Sequence, residues 1–481
     1  MSELVGRISD WQLSHRPAAE CGTTAAERVA LVDVNNFYVS CERLFDPTLR
    51  GRPVVVLSNN DGCVVARSQE AKALGIATGT PWFQLEPHAD RLGLEARSSN
   101  YELYGDLSAR VMELLGRYGT WQEVYSIDES FVGLTGSPAQ LLSTAEAIRA
   151  TVARNIGLPV CVGVAPTKTQ AKLANHVAKH TESLGGVCSM DSLRPEDVWA
   201  LQERLPVTGL WGVGRRSGAR LAAEGVETIA DLRRADPAWV RKRHSVVLER
   251  TVRELNSVAC LPSVSERADR AQVMYSRSFS QPVTTAAELA EVMNVYTQRA
   301  TARLAAQGLR ARVLTVSAGT SRFSAEQAFP SRSVSLPSPT ADPVLLTRYA
   351  VRALASVTVP GTSYVRAGVM LSGLERDGQH GGQESLFEDT LFDAAGPSAA
   401  AGGTGGAGQA GDGTATPGSA RRGADTEGLN AVLASVRGRF GDTAIGLGRG
   451  GFSEEPEWSM KREFISGHYT THWDQLAKVR A

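Results

Sequence analysis

The chain has 481 residues, with Lys and Arg numbering 51, Asp and Glu numbering 51, and a formal net charge of zero. That balance excludes a uniformly basic, histone-like binder, but charge can still be segregated along the chain. Hydrophobic residues make up 42%, enough for several packed cores, and the length points to about three or four domains.

Residues 1–27 show no clear periodicity and read as an N-terminal extension. From Val29 onward, RVALVDV, PVVVLSN and GCVVARS are short β-rich runs bounded by turn formers. Tyr101–Tyr118 reads as helix, EVYSIDESFVGLTG as strand with a turn, Leu141–Asn155 as helix, LPVCVGVA as strand, and Thr167–His180 as a helix opening after Pro166. Strands alternating with helices make residues 28–190 an α/β unit. Residues 191–258 are mostly helical around the Gly-rich turn LWGVGRR, and 259–270 form a linker.

Residues 271–378 run strand, helix, strand, strand, helix, strand, which is the ferredoxin-like β-α-β-β-α-β arrangement. The strands are QVMYSRSF, RVLTVSAG, AFPSRSVSL and SYVRAGVML, and the helices Ala286–Gln307 and Asp342–Ser356. The composition then changes. Residues 394–426 are dominated by Gly and Ala, bury too little apolar surface to order themselves, and read as a flexible linker. Residues 427–481 regain Trp, Phe, Tyr and mixed charge, as a small partner-binding segment would.

Six cysteines are scattered with no C-x-x-C pair, which argues against a disulfide framework or zinc ribbon and for reduced thiols. No apolar run of about 18 residues exists. The N-terminus is polar without a signal core, so a soluble, cytoplasmic protein with no membrane partner is expected. Charge is segregated. Arg28–Gly136 carries ten basic against fourteen acidic residues, whereas Val240–Arg312 carries twelve against six. An acidic unit followed by a basic one fits a metal and phosphate site beside a polyanion surface, although solvated faces also differ by a few charges.

Asp33 ends the apolar strand that starts at Val29, and an acid there is costly unless it meets positive charge. Asp128 and Glu129 are adjacent, so in an extended segment they point to opposite faces, while a turn brings both toward one site. Three carboxylates make an oxygen cage suited to Mg²⁺. Two such ions about 3.5–4 Å apart activate a 3′-hydroxyl and stabilise a leaving pyrophosphate. Surface acids near strand ends are the plainer alternative. Lys168, Lys172 and His176 recur every four residues and share a helix face. His176 and His180 have the spacing of a zinc pair, but no third ligand lies nearby, and a solvated face is the simpler reading.

Asp33-Val34-Asn35-Asn36-Phe37-Tyr38 resembles the first catalytic motif of Y-family DNA polymerases, and Val54–Cys63 resembles the UmuC family within it. UmuC is the catalytic subunit of DNA polymerase V. Further likeness lies in Ser99–Tyr104, Tyr125–Phe131, Thr167–His176, Val247–Leu255, Trp458–Arg462 and Tyr469–Thr471. The resemblance covers about residues 29–380 and resumes near the C-terminus.

The resemblance implies a right-hand architecture of α/β and α+β domains. Residues 28–190 would be palm and fingers, 191–258 a thumb with a helix-hairpin-helix, and 271–378 the little finger. It implies an error-prone translesion DNA-dependent DNA polymerase of the SOS DNA-damage response. Asp33, Asp128, Glu129 and the Val34 carbonyl would hold two Mg²⁺ ions. Tyr38 would be the steric gate against ribonucleotides, and Gln69, Lys72 and Lys172 would meet the dNTP.

Lys168, Gly212, Gly214, Arg215 and Arg216 would contact DNA phosphates; a Gly-x-Gly turn is also a plain helix link. In the segment 379–393, Gln383, Leu386 and Phe387 resemble a sliding-clamp-binding peptide, with Leu391-Phe392 as a rival anchor. Implied partners are primed, damaged DNA, the sliding clamp, a UmuD-type processed dimer and RecA, with the protein at the nucleoid. A catalytically inactive adaptor is the alternative reading, and the presence of all three acids weighs against it.

Overall fold

The computed structural model describes residues 11–261, 271–321, 324, 326–376, 419–440, 445–448 and 456–476. The clamp-type peptide at Gln383, Leu386 and Phe387 lies outside them, as do Leu391 and Phe392. The chain divides into two units, Met1–Arg267 with Arg462–Ala481, and Ala268–Lys461.

The first unit opens with β1 (Ala26–Val34), α1 (Phe37–Phe45), β2 (Val54–Leu57), β3 (Val64–Arg67), α2 (Gln69–Ala73) and β4 (Glu95–Ser98). It continues with α3 (Tyr101–Leu115), β5 (Gln122–Val124), β6 (Glu129–Gly136), α4 (Pro138–Asn155), β7 (Val160–Ala165), α5 (Lys168–His180) and β8 (Val187–Ser189). A five-stranded sheet has the order β5-β6-β1-β7-β8, and β3-β2-β4 form a separate three-stranded sheet. Strand–helix alternation usually signals a parallel sheet, but here β1 is antiparallel to both β6 and β7.

β1 is central and its last five residues are buried, as its apolar run requires. Leu103, Leu107 and Val111 of α3 and Leu141, Ile148 and Val152 of α4 join Ala30 and Val32 in one core. Helix α5 packs very closely on β7: a Cβ on Gly163 would lie 2.7 Å from Asn175 Cα and overlap the Asn175 nitrogen outright. Only glycine allows that approach.

Five helices follow: α6 (Pro195–Arg204), α7 (Arg215–Ala222), α8 (Ile229–Arg234), α9 (Pro237–Arg243) and α10 (Val246–Leu255). Their apolar faces share a second core with Leu173 and Val177 of α5. The buried Glu254 of α10 accepts from the Thr169 backbone nitrogen at 3.0 Å, tying α10 to the start of α5. From Trp11 the N-terminal extension packs on this part of the fold: Leu13 is buried in the same core, and Arg16 donates to the Asp191 carbonyl at 2.8 Å.

The second unit contains β9 (Gln272–Val283), α11 (Ala286–Ala305), β10 (Leu309–Gly319), β11 (Ser331–Thr340), α12 (Pro343–Ala355) and β12 (Tyr364–Arg376). Its sheet has the order β11-β10-β12-β9 and is antiparallel throughout. A further helix, α13 (Ser419–Phe440), begins inside the stretch expected to be Gly/Ala linker. Among the described residues, no helix is long and apolar enough to cross a membrane.

The C-terminal segment, expected to dock a partner, packs several of its aromatic residues on the protein itself. Trp458 packs beside Phe279 and Tyr296 in the second unit. Phe464 packs on Trp82 and Tyr469 stacks on Phe45 in the first. These rings are half-buried against the protein itself, while Trp473 remains exposed.

Candidate active site

Asp33 near the end of β1 is the register partner of Glu129 at the start of β6. The Val34 backbone nitrogen donates to the Asp128 carbonyl at 2.9 Å, fixing the turn between β5 and β6 against β1. Within that turn Ser126 Oγ donates to Asp128 Oδ1 at 2.7 Å and accepts from the Glu129 backbone nitrogen at 3.1 Å. The turn thus brings the adjacent acids to one end of the sheet, as extended backbone alone would not.

Each of three acids is matched by a lysine of α5. Lys179 Nζ lies 2.6 Å from Asp33 Oδ1, Lys172 Nζ lies 3.1 Å from Glu129 Oε2, and Lys168 Nζ lies 2.5 Å from Glu123 Oε2. Burial pushes the Asp33 carboxyl up to about 7; Lys179 opposes the rise, and a shared hydrogen bond and the charge of Glu129 add to it. Among the described residues, no three His, Cys, Asp or Glu side chains converge into a ready metal cage. The donor set nevertheless fits a hard cation. Two carboxylates that are register partners across adjacent strands repel each other, and a divalent ion held between them neutralises both.

Tyr38 on α1 lies flat on Tyr104, with ring centroids 4.4 Å apart and planes at 16°. Asn36, just before α1, has a left-handed backbone with φ 48°, which asparagine tolerates better than most residues. Its Oδ1 accepts from Lys72 Nζ at 2.6 Å. Burial, and then the nearby Arg67 and Lys179, hold the Lys72 ammonium below its ordinary value. Gln69 is exposed at the first position of α2. Lys72, Lys179 and Arg67 therefore form a cationic group beside Asp33.

Helix α5 corrects two expectations. Lys168, expected at DNA, is buried in its pair with Glu123 and sits over the Phe131 ring at 5.6 Å. Spacing shows that Lys168, Lys172 and His176 share a face, but not that this face packs toward the sheet. The solvated face expected for His176 is likewise absent: burial holds its imidazole down at about 4, and His180 leans against it with ring centroids 4.4 Å apart. Lys172 is half-buried against the Tyr125 and Trp211 rings, at 4.7 and 5.1 Å, rather than open to solvent. Lys179, Arg67 and Asn36 escape the sequence reading. Lys179 was legible as the residue seven after Lys172, two turns along the same helix face.

At the thumb, Gly212 has φ 84°, a conformation that favours glycine, and a Cβ there would meet nothing within 4 Å. Val213 is buried, Gly214 precedes α7, and Arg215 and Arg216 are exposed in its first turn. Exposed guanidinium groups on a glycine-led helix start suit phosphate contact.

The impB/mucB/samB family matches residues 32–176, its C-terminal domain matches 270–386, and a domain of unknown function matches 427–479. The chain is 38% identical to Protein UmuC of Salmonella typhimurium over 457 residues, covering 94% of this chain and 100% of that one. It is 36% identical to Protein MucB of Escherichia coli, covering 93% and 98%. It is 31% identical to DNA polymerase IV of Corynebacterium diphtheriae, covering 72% and 74%. Among solved structures, a Y-family DNA polymerase chimera of Dbh and Dpo4 superposes with a TM-score of 0.56 at 20% identity, covering 73% of this chain and all of that one. The chain belongs to the impB/mucB/samB family, alongside Protein UmuC, and its fold is that of Y-family DNA polymerases.

Proposed function

We propose that this translesion polymerase adds nucleotides to a primer 3′-hydroxyl using two Mg²⁺ ions held by Asp33, Asp128, Glu129 and the Val34 carbonyl. The observation that carries this reading is the pairing of Asp33 and Glu129 as register partners at one end of the sheet, each with a lysine beside it. When bound, Mg²⁺ supplies Lewis-acid activation of the hydroxyl and charge neutralisation at the departing pyrophosphate.

The chain's own residues then have distinct tasks. Lys179 and Lys172, once their carboxylates serve as ligands, are free to bind triphosphate oxygens, with Lys72 and Arg67 beside them. Gln69, exposed at the start of α2, meets the incoming dNTP. The Tyr38 ring blocks a 2′-hydroxyl by occupying its volume. Gly212, Gly214, Arg215 and Arg216 hold primer–template DNA through its phosphates, fixing position without reading sequence.

The setting is the SOS response on damaged DNA. The sliding clamp is engaged through Gln383, Leu386 and Phe387, and a UmuD-type processed dimer and RecA control activity. Primer extension on undamaged and abasic templates tests this, comparing the protein alone with protein plus clamp, UmuD-type dimer and RecA filament. Metal-dependent extension past the abasic site that rises with partners is expected. DNA or clamp binding without extension under every condition would instead mark an inactive adaptor.

A further inference from the structure

The C-terminal strap, Arg462–Tyr469, has no part in the polymerase chemistry above and falls within the match to a domain of unknown function. The strap lies on the first unit. The Phe464 nitrogen donates to Ser98 Oγ at 2.9 Å, and the Ser98 nitrogen donates back to the Phe464 carbonyl at 3.0 Å. The Glu463 nitrogen donates to Asp61 Oδ2 at 2.8 Å.

Beyond that anchor the strap reaches a largely buried polar chain. Asn100 Nδ2 donates to Ser466 Oγ at 3.0 Å, and Ser466 Oγ donates to Glu42 Oε1, also at 3.0 Å. The same Glu42 oxygen accepts from the Tyr104 hydroxyl at 2.7 Å. Tyr104 and Glu42 are essentially inaccessible, at 0% and 1% exposure. Tyr104 is the ring on which Tyr38 lies. Tyr469 stacks on Phe45, one helical turn past Glu42 on α1, with centroids 4.7 Å apart and planes at 12°.

We propose that the C-terminal strap is part of the sugar-selection apparatus: Ser466 and Tyr469 are positioning residues that set Tyr38 through Glu42, Tyr104 and Phe45. The physical argument is one of linked constraints. A buried carboxylate oxygen holds its place only while its donors are present. The Tyr104 hydroxyl follows that oxygen, and the Tyr104 ring plane follows its hydroxyl. Tyr38 is half-buried and rests on that plane, so its depth in the pocket depends on a serine more than four hundred positions away in sequence. Networks of this kind are worth more than single bonds, because each member orients the next.

The inference rests on the assignment of Tyr38 as the gate. It is tested in the full-length protein by single-nucleotide primer extension, measuring kcat/KM for a dNTP and the matching rNTP. The variants are Ser466→Ala, Ser466→Thr, Tyr469→Leu and Tyr104→Phe, with Tyr38→Ala as reference. Loss of one hydrogen bond to the buried Glu42 carboxyl predicts a drop in dNTP over rNTP discrimination of roughly fivefold to tenfold in Ser466→Ala. The same direction is expected for Tyr469→Leu and for Tyr104→Phe, which keeps the ring stack and removes only the hydroxyl. Ser466→Thr restores selectivity. A merely structural role would lower both substrates together and leave the ratio fixed.

The failures are separable. Absence of dNTP addition by the unmodified protein, with clamp, UmuD-type dimer and RecA filament present, overturns the polymerase reading and this inference with it. Addition with an unchanged ratio in Tyr38→Ala overturns the gate. An open gate in Tyr38→Ala with unchanged ratios in Ser466→Ala and Tyr104→Phe overturns the strap alone. If Ser466→Ala fails to fold, Tyr104→Phe and Tyr469→Leu decide.

Discussion

Lys179 Nζ lies 2.6 Å from Asp33 Oδ1, so a helix cation faces the acid near the end of the central strand. The arrangement eases a physical problem. A carboxylate on a buried strand carries a large desolvation cost and tends to take up a proton. The lysine opposes that uptake in the protein alone and becomes available for phosphate when the carboxylate has another partner.

Lys179→Met should therefore act on nucleotide binding. The KM for dNTP is expected to rise about tenfold, the value of one lost charge-assisted contact of some 1.4 kcal/mol. Steady-state primer extension gives the result, with kcat changing less than KM. An unchanged KM would place the triphosphate elsewhere.

Lys168→Met should act on stability instead. Its ammonium is buried against the buried Glu123 at 2.5 Å, and breaking a buried ion pair is strongly destabilising. The expected loss is about 3–5 kcal/mol, measured as a shift in the urea midpoint at constant slope. A variant of normal stability with weakened DNA affinity would restore Lys168 to the DNA surface.

Gly163→Ala should disturb the site from behind. The new Cβ would overlap the Ala171 carbonyl oxygen and the Asn175 nitrogen, both backbone atoms of α5 that cannot rotate away. Overpacking of this kind costs about 1–3 kcal/mol or more. Because α5 carries Lys172 and Lys179, dNTP incorporation should fall together with thermal stability; full activity in the variant would mean that the helix can shift without consequence.

Arg215→Ala should weaken primer–template binding with little dependence on sequence. For one phosphate contact, the slope of log affinity against log salt is expected to fall by about 0.9 on duplex DNA. Fluorescence anisotropy at several salt concentrations measures it, and an unchanged slope would remove Arg215 from the backbone contacts.

Much of the fold was legible because its period is strong. The ferredoxin-like unit follows the expected order, from Gln272–Val283 through Tyr364–Arg376. Alternating apolar residues and clear turn signals carry that pattern. Strand β4 was not legible, since Glu95-Ala96-Arg97-Ser98 has no apolar run and gains its place from pairing with β2. The acids could be read from motifs, and seven-residue spacing relates Lys179 to Lys172, but helical spacing does not say that this face of α5 packs on the sheet. The strap is the extreme case: Ser466 meets Glu42 only after the chain has folded back on itself.

The most direct test of the account is single-nucleotide addition by the double variant Asp128→Asn, Glu129→Gln beside the unmodified protein, with Mg²⁺ titrated and DNA binding measured in parallel. Metal-dependent addition by the unmodified protein, abolished in the variant while DNA affinity and thermal stability persist, is the predicted result. Addition that survives in the variant, or that never requires a divalent ion, would contradict it.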